Sequence, residues 1–393
     1  MRETRKWDPQ ADYTDAVVTI RALDAPATAP ATRLVSLDVF RGLTMAAMVI
    51  VNNPGDWGTV YAPLLHAEWH GWTPTDLIFP FFLFIVGVSI TLSRKSAGWG
   101  SILRRAAIIF GLGLFLAGYP RFDLTTWRIP GVLQRIAVCY LFAAGAYRLT
   151  AGDRRQQGIV LASAATALSI LYWLIMTFVA APGGVAGDLS PEGNLGAWID
   201  RALMDGHLWK PRWDPEGLLS TLPAIATTLF GIVAGLWLGS SAPAHRKAAV
   251  LMGAGVVGVA LGHLWGLAFP INKNIWTSSY VIFTAGGASL LLGLCYWAID
   301  VQGWRGWTKP FVILGTNAIT LFMLSGLLVD TMGLFRVTGS DGREVGLSRY
   351  IYVEYFLPLA APKNASLLYA IANLVVLFLI LTWLYRRKIF LRV

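Results

Sequence analysis

The loop Leu64, Leu65, His66, Ala67, Glu68, Trp69, His70, Gly71, Trp72 sets two histidines among apolar and aromatic neighbours. An imidazole that is neutral near pH 7 is a natural general base, and His66 is the candidate. A solvated loop histidine is the bland alternative. A zinc pair at i, i+4 is another, but no further His or Cys stands where it would complete a set, so no metal is expected. Ahead of the loop, Asn52 ends an apolar run just before Pro54, which a helix interior does not tolerate. An amide there could donate to a developing oxyanion. Its neighbour Asn53 reads as a helix C-cap.

Other polar side chains fall within or beside apolar runs. Asp38 and Arg41, at i and i+3, can pair on one helix face, and Arg41 could serve a phosphate-bearing ligand. Arg128, Gly131 and Arg135 share a face, with Gln134 adjacent. A guanidinium roughly 10 Å into a helix needs an anion, either a protein carboxylate or a ligand phosphate. Thr73, Pro74 and Asp76 form a helix-start signal, so Asp76 reads as a capping residue; it could also orient a catalytic histidine. Asp214 and Glu216 in Asp214-Pro-Glu-Gly217 read as a similar start signal with structural carboxylates. Asn272, Lys273 and Asn274 make a short polar loop that could bind a sugar-like acceptor or be an ordinary turn. Asn317 reads as a buried amide that ties helices together.

The elements that must position these residues are membrane helices. The chain is 55% hydrophobic and 14% charged, where soluble domains carry about a quarter charged residues. A span needs about 20 mostly apolar residues. Ten such segments occur: 36–53, 75–93, 101–119, 130–148, 157–181, 217–239, 247–267, 277–299, 310–329 and 365–385. The expected fold is therefore an all-α polytopic membrane bundle of about ten transmembrane helices. Residues 1–33, polar and then rich in Ala, Pro and Thr, read as a disordered cytoplasmic tail, and 34–393 as the membrane domain. No signal peptide is expected.

Placing both termini in the cytoplasm puts twenty Lys/Arg on inside segments, Arg94 and Lys95 among them, against ten outside. Fourteen of the 22 acidic residues fall outside. The net charge of +10 thus follows topology, and no nucleic-acid partner is expected. The loops carrying His66 and Lys273 come out on the same, outer side. Cys139 and Cys295 lie in apolar runs and read as small buried residues.

Several stretches together carry a resemblance. They are Ser36 to Gly42, Val51-Asn52, His66 to Gly71, Asp76 to Phe82, Arg128 to Arg135, Pro270 to Asn274 and Tyr385 to Val393. They resemble the heparan-α-glucosaminide N-acetyltransferase family, and most closely its bacterial, N-acetylglucosamine-associated members. The resemblance implies acetyl-CoA as cytoplasmic donor and an amino sugar as acceptor across the membrane. It puts the family's catalytic histidine on His66 and a partnering asparagine on Asn52. It also implies a homodimer.

The expected function is transmembrane acetyl transfer in a bacterial inner membrane, without a metal. His66 takes a proton from the acceptor, or forms an acetyl-histidine, and Asn52 stabilises the oxyanion. Arg41, Asp38, Arg128, Gln134 and Arg135 are the donor-side candidates. Asp76, Asn272, Lys273 and Asn274 are the acceptor-side ones. An amino-sugar permease or transport accessory protein is the alternative, and a catalytically silent scaffold a third.

Overall fold

The computed structural model describes residues 34–93, 98–340 and 342–390. The expected tail 1–33, the pair Arg94 and Lys95, and the last residues of the C-terminal stretch lie outside the described residues.

All ten expected segments are helical. In chain order they are α1 (Val35–Asn52), α2 (Ile78–Leu92, entered through a 3-10 turn Pro74–Leu77), α3 (Trp99–Gly118), α4 (Val132–Leu149) and α5 (Arg154–Phe178). A short α6 (Leu195–Met204) lies in the long loop that follows. Then come α7 (Thr221–Leu238), α8 (Ala244–Gly266), α9 (Ser278–Cys295), α10 (Lys309–Thr316) and α11 (Ala318–Leu334). A two-stranded hairpin (Arg336–Thr338 with Glu344–Gly346) and a short α12 (Leu347–Ile351) precede the final α13 (Pro362–Arg386). The protein is a multi-pass, all-α membrane bundle.

Two of the ten segments depart from a plain straight span. Eight helices among the described residues are long and apolar enough to cross a membrane, nine if the bent pair α10 and α11 is one span. The remaining segment, 130–148, is the 18-residue α4. It encloses Gln134 and Arg135, only 4% and 2% exposed, and lies mostly in the bundle interior. Segment 310–329 is not one straight helix. It bends by 79° at Asn317, a residue with non-helical backbone angles that caps both halves.

Close approach of backbones holds the bundle. A methyl group on Gly87 of α2 would lie 2.0 Å from the Thr228 carbonyl oxygen of α7. One on Gly42 of α1 would lie 1.9 Å from the Phe311 carbonyl oxygen of α10. With no hydrophobic drive between helices in lipid, such small-residue contacts supply the packing. Arg41 reinforces the second contact. It donates to Asp38, to Ser89 of α2 at 2.8 Å and to the Gly315 carbonyl at 3.3 Å. That carbonyl belongs to the broken end of α10, where a cation is favoured by the exposed C=O groups.

The five segments expected outside meet at one end of the bundle. Gly71 donates its N–H to the Ile271 carbonyl, Trp69 its indole N–H to Leu189, and Ile129 its N–H to His207. Arg349 pairs with Asp56 at 3.5 Å. The opposite end has its own ties, such as Ser36 N–H to Asp300.

Candidate active site

His66 is fixed from behind by Asp76. Its Nδ1 lies 2.7 Å from Asp76 Oδ1. Asp76 is 1% exposed. Its other oxygen accepts the N–H groups of Ala67 and Thr73, each at 3.0 Å, and the Thr73 hydroxyl at 3.2 Å. The capping box expected at the start of α2 therefore exists, and the same carboxylate also holds the histidine. A carboxylate only accepts, so Nδ1 carries the proton and Nε2 bears the basic lone pair. The Asp76 carbonyl is tied down in turn by the Tyr280 hydroxyl of α9.

Lys273 covers the imidazole. Its Nζ is 3.3 Å from both ring nitrogens of His66. The in-plane directions of those nitrogens diverge, so an ammonium equally near both sits over the ring face. Burial pushes the Lys273 ammonium below its ordinary pKa, against the pull of the Glu216 and Asp76 carboxylates. Asn272 shapes the turn. It is fully buried, its Oδ1 accepts the Ile275 N–H at 3.1 Å, and its backbone N–H donates to the Thr277 hydroxyl. Its Nδ2 lies 3.3 Å from His70 Nδ1, and burial lowers the His70 pKa.

A second buried network stands beside the first. Arg128 grips Asp214 with two bonds, of 2.9 and 2.6 Å, and reaches Glu216 at 2.5 Å. Burial works against the Arg128 charge, but the hydrogen bonds and charges of Asp214 and Glu216 outweigh it and raise its pKa. Deeper in, Arg135 donates to the Gly217 carbonyl at 3.0 Å and to the Ser220 hydroxyl at 2.5 Å, and lies over the Trp276 ring.

His66, Lys273, Glu216 and Asn52 line one cavity of about 710 Å³, mouth included. Below them its walls are apolar: Met45 and Met48 of α1, Phe79 and Phe82 of α2, Ile136 of α4, Phe322 of α11. Along α1 it runs from Asn52 down to Thr44, roughly 12 Å of helix. Ala318 and Ile319, at the broken joint between α10 and α11, close it on one side.

A polar head thus opens onto an apolar cavity inside the membrane bundle. Residues 33–189 match the family model of heparan-alpha-glucosaminide N-acetyltransferase, catalytic. This region belongs to that family. The chain is 32% identical over 352 residues to the Homo sapiens heparan-alpha-glucosaminide N-acetyltransferase, covering 74% of this chain and 52% of that relative. It is also 32% identical over 355 residues to the Mus musculus enzyme of the same name, covering 75% and 53%. The chain thus spans about half the length of these relatives. Asn52, His66, Asp76, Arg128 and Arg135 fall inside the matched catalytic region, whereas Glu216 and Lys273 lie beyond it.

The candidate residues divide on inspection. Asn52, His66 and Lys273 line the cavity together. Asp76 was expected against the acceptor; it is instead buried behind His66 with both oxygens occupied. Asn272 likewise serves its own turn. Asn274 borders a separate small cleft with Trp69, Asp200 and Trp213. Arg128, expected on the donor, is committed to two carboxylates at the outer end. Arg135 makes no ion pair with a carboxylate among the described residues and does not line the cavity. Gln134 packs against Gly113 and Gly131, away from the cavity. Asp38 and Arg41 are joined at 3.3 Å below the cavity floor. Glu216 was read as structural only, yet it lines the cavity. Its start-signal context concealed it, and an acidic residue two places after a buried Asp was the one available clue.

Proposed function

We propose that this protein moves an acetyl group from acetyl-CoA on the cytoplasmic face to an amino sugar on the outer face of a bacterial inner membrane. The observation that carries the reading is the His66–Asp76 pair at the head of an apolar shaft. Acetyl-CoA is polyanionic and does not cross lipid, so its nucleotide stays at the cytoplasmic end while the pantetheine arm enters the bundle. The shaft of Met45, Met48, Phe79 and Phe82 suits that arm. Arg41, braced by Asp38, is assigned to the phosphate end, one helical turn below Thr44.

At the head of the shaft the acceptor nitrogen attacks the thioester carbonyl. His66 Nε2 takes a proton from that nitrogen as the N–C bond forms and the C–S bond breaks. The proton then passes to the departing thiolate, giving CoA. Asn52 donates to the oxyanion between these events, and Asp76 stabilises the transient imidazolium. An acetyl-histidine on Nε2 is the two-step version of the same chemistry.

One feature favours a second reading. Broken helices beside a central cavity are a transporter device, and the α10–α11 joint is one. An amino-sugar permease would move its substrate without consuming acetyl-CoA. Purified protein given labelled acetyl-CoA and a panel of amino sugars separates the readings. Acetylated sugar with matching CoA release supports transfer. Sugar flux in liposomes without CoA release supports the permease, and neither signal supports a scaffold.

A further inference from the structure

The two oxygens of Glu216 are used differently. Oε2 lies 2.5 Å from Arg128 Nη2. Oε1 accepts no hydrogen bond among the described residues, although Glu216 is only 8% exposed. The residue is held in place by its own N–H, which donates to Asp214 Oδ1 at 2.8 Å. It faces the same cavity as His66 and Asn52. A bare carboxylate oxygen in a largely apolar space is costly unless a guest supplies a donor.

The surrounding charges define that donor. Arg128 and Lys273 bring two positive charges to the cluster, and Asp76, Asp214 and Glu216 bring three negative ones. In the next layer Arg135 and Arg201 stand against Asp200. Among these immediate neighbours the carboxylates outnumber the cations by one. Lys273 makes no ion pair with Glu216 within hydrogen-bonding range among the described residues. Its ammonium is committed to the face of His66.

We infer that Glu216 Oε1 is the point that binds the acceptor's amine, so that the site selects a monosaccharide carrying a primary amine over its hydroxyl counterpart. The inference rests on the transfer reading above. In that reading the ammonium first passes one proton to Glu216, which returns it to water at the mouth. The free amine then attacks, and its second proton goes to His66.

The test is direct binding, without acetyl-CoA, of glucosamine and of glucose to the full chain in detergent, by titration calorimetry. Wild type binds glucosamine tighter than glucose by about tenfold or more, the scale of one charge-assisted hydrogen bond. Glu216→Gln binds the two sugars alike. Glu216→Asp keeps a charged partner for Arg128 while drawing the oxygen back from the cavity, and it loses the preference as well. Equal affinity of wild type for the two sugars overturns the inference. So does a wild-type preference retained in either variant. Because no acetyl group moves in this assay, a protein that shows the preference yet transfers nothing refutes the transfer reading and leaves this inference standing.

Discussion

His66 Nδ1 and Asp76 Oδ1 lie 2.7 Å apart, and the aspartate is sealed from solvent while the histidine side chain is 46% exposed. The buried partner fixes the tautomer and the open partner lines the cavity. The two residues are ten apart in sequence. They meet because the 3-10 turn at Pro74–Leu77 folds the start of α2 back under the loop.

Asp76→Asn is expected to leave the fold in place and to stop the chemistry. The amide oxygen can still cap the turn, but its NH₂ would face Nδ1 and force the proton onto Nε2. Acetyl transfer should fall about 100-fold or more, the usual scale for losing a general base. Thermal stability should change by about 1 kcal/mol, the scale of one cap. Steady-state rates and a thermal melt of the same preparation check both halves.

Arg128 is expected to act on stability and not on donor affinity. Arg128→Gln leaves Asp214 and Glu216 without their shared cation, a loss of about 3–5 kcal/mol for a buried pair. The melting temperature should drop clearly. The KM for acetyl-CoA, measured below the melting transition, should stay within the wild-type range. A selective rise in that KM would return Arg128 to the donor site.

Asp200 should leave a signature in the pH dependence of stability. It is 2% exposed, and burial pushes its pKa up to about 6, with its hydrogen bond from the Leu218 N–H pulling the other way. A carboxyl whose pKa is higher folded than unfolded binds more protons in the folded state. Its stabilising contribution is therefore present at low pH and is lost as pH rises between about 4 and about 6. The full effect is about 3 kcal/mol as an upper bound. Asp200→Asn should remove that slope and raise stability at neutral pH, as melts at pH 5 and pH 7 would show.

Gly42→Ala should be costly out of proportion to one methyl group. The added carbon meets the Phe311 carbonyl at 1.9 Å, so α1 and α10 must part. Overpacking of this kind costs about 1–3 kcal/mol. A detergent melt indistinguishable from wild type would mean that the two helices are not held in this contact.

Much of this arrangement was legible in the chain. Apolar runs of span length gave every major helix, and the sided Lys/Arg count grouped the loops that now meet around His66. Asn53 is the C-cap it was read as, with its amide on the Val49 carbonyl. What stayed hidden depends on contacts between distant segments. Nothing near Arg135 announces that Gly217, Ser220 and the Trp276 ring receive it. The break at Asn317 is invisible to hydropathy because both halves are apolar. Glu216 and Asp214 share one start signal, and only the fold separates the carboxylate that is fully committed from the one that faces the cavity.

The most direct test of the central claim is sided transfer by His66. Liposomes carrying the protein in known orientation receive labelled acetyl-CoA at the cytoplasmic face, with glucosamine confined to the other side. Labelled N-acetylglucosamine is expected on the glucosamine side with wild type, and none with a folded His66→Ala variant. Product from His66→Ala at the wild-type rate would contradict it.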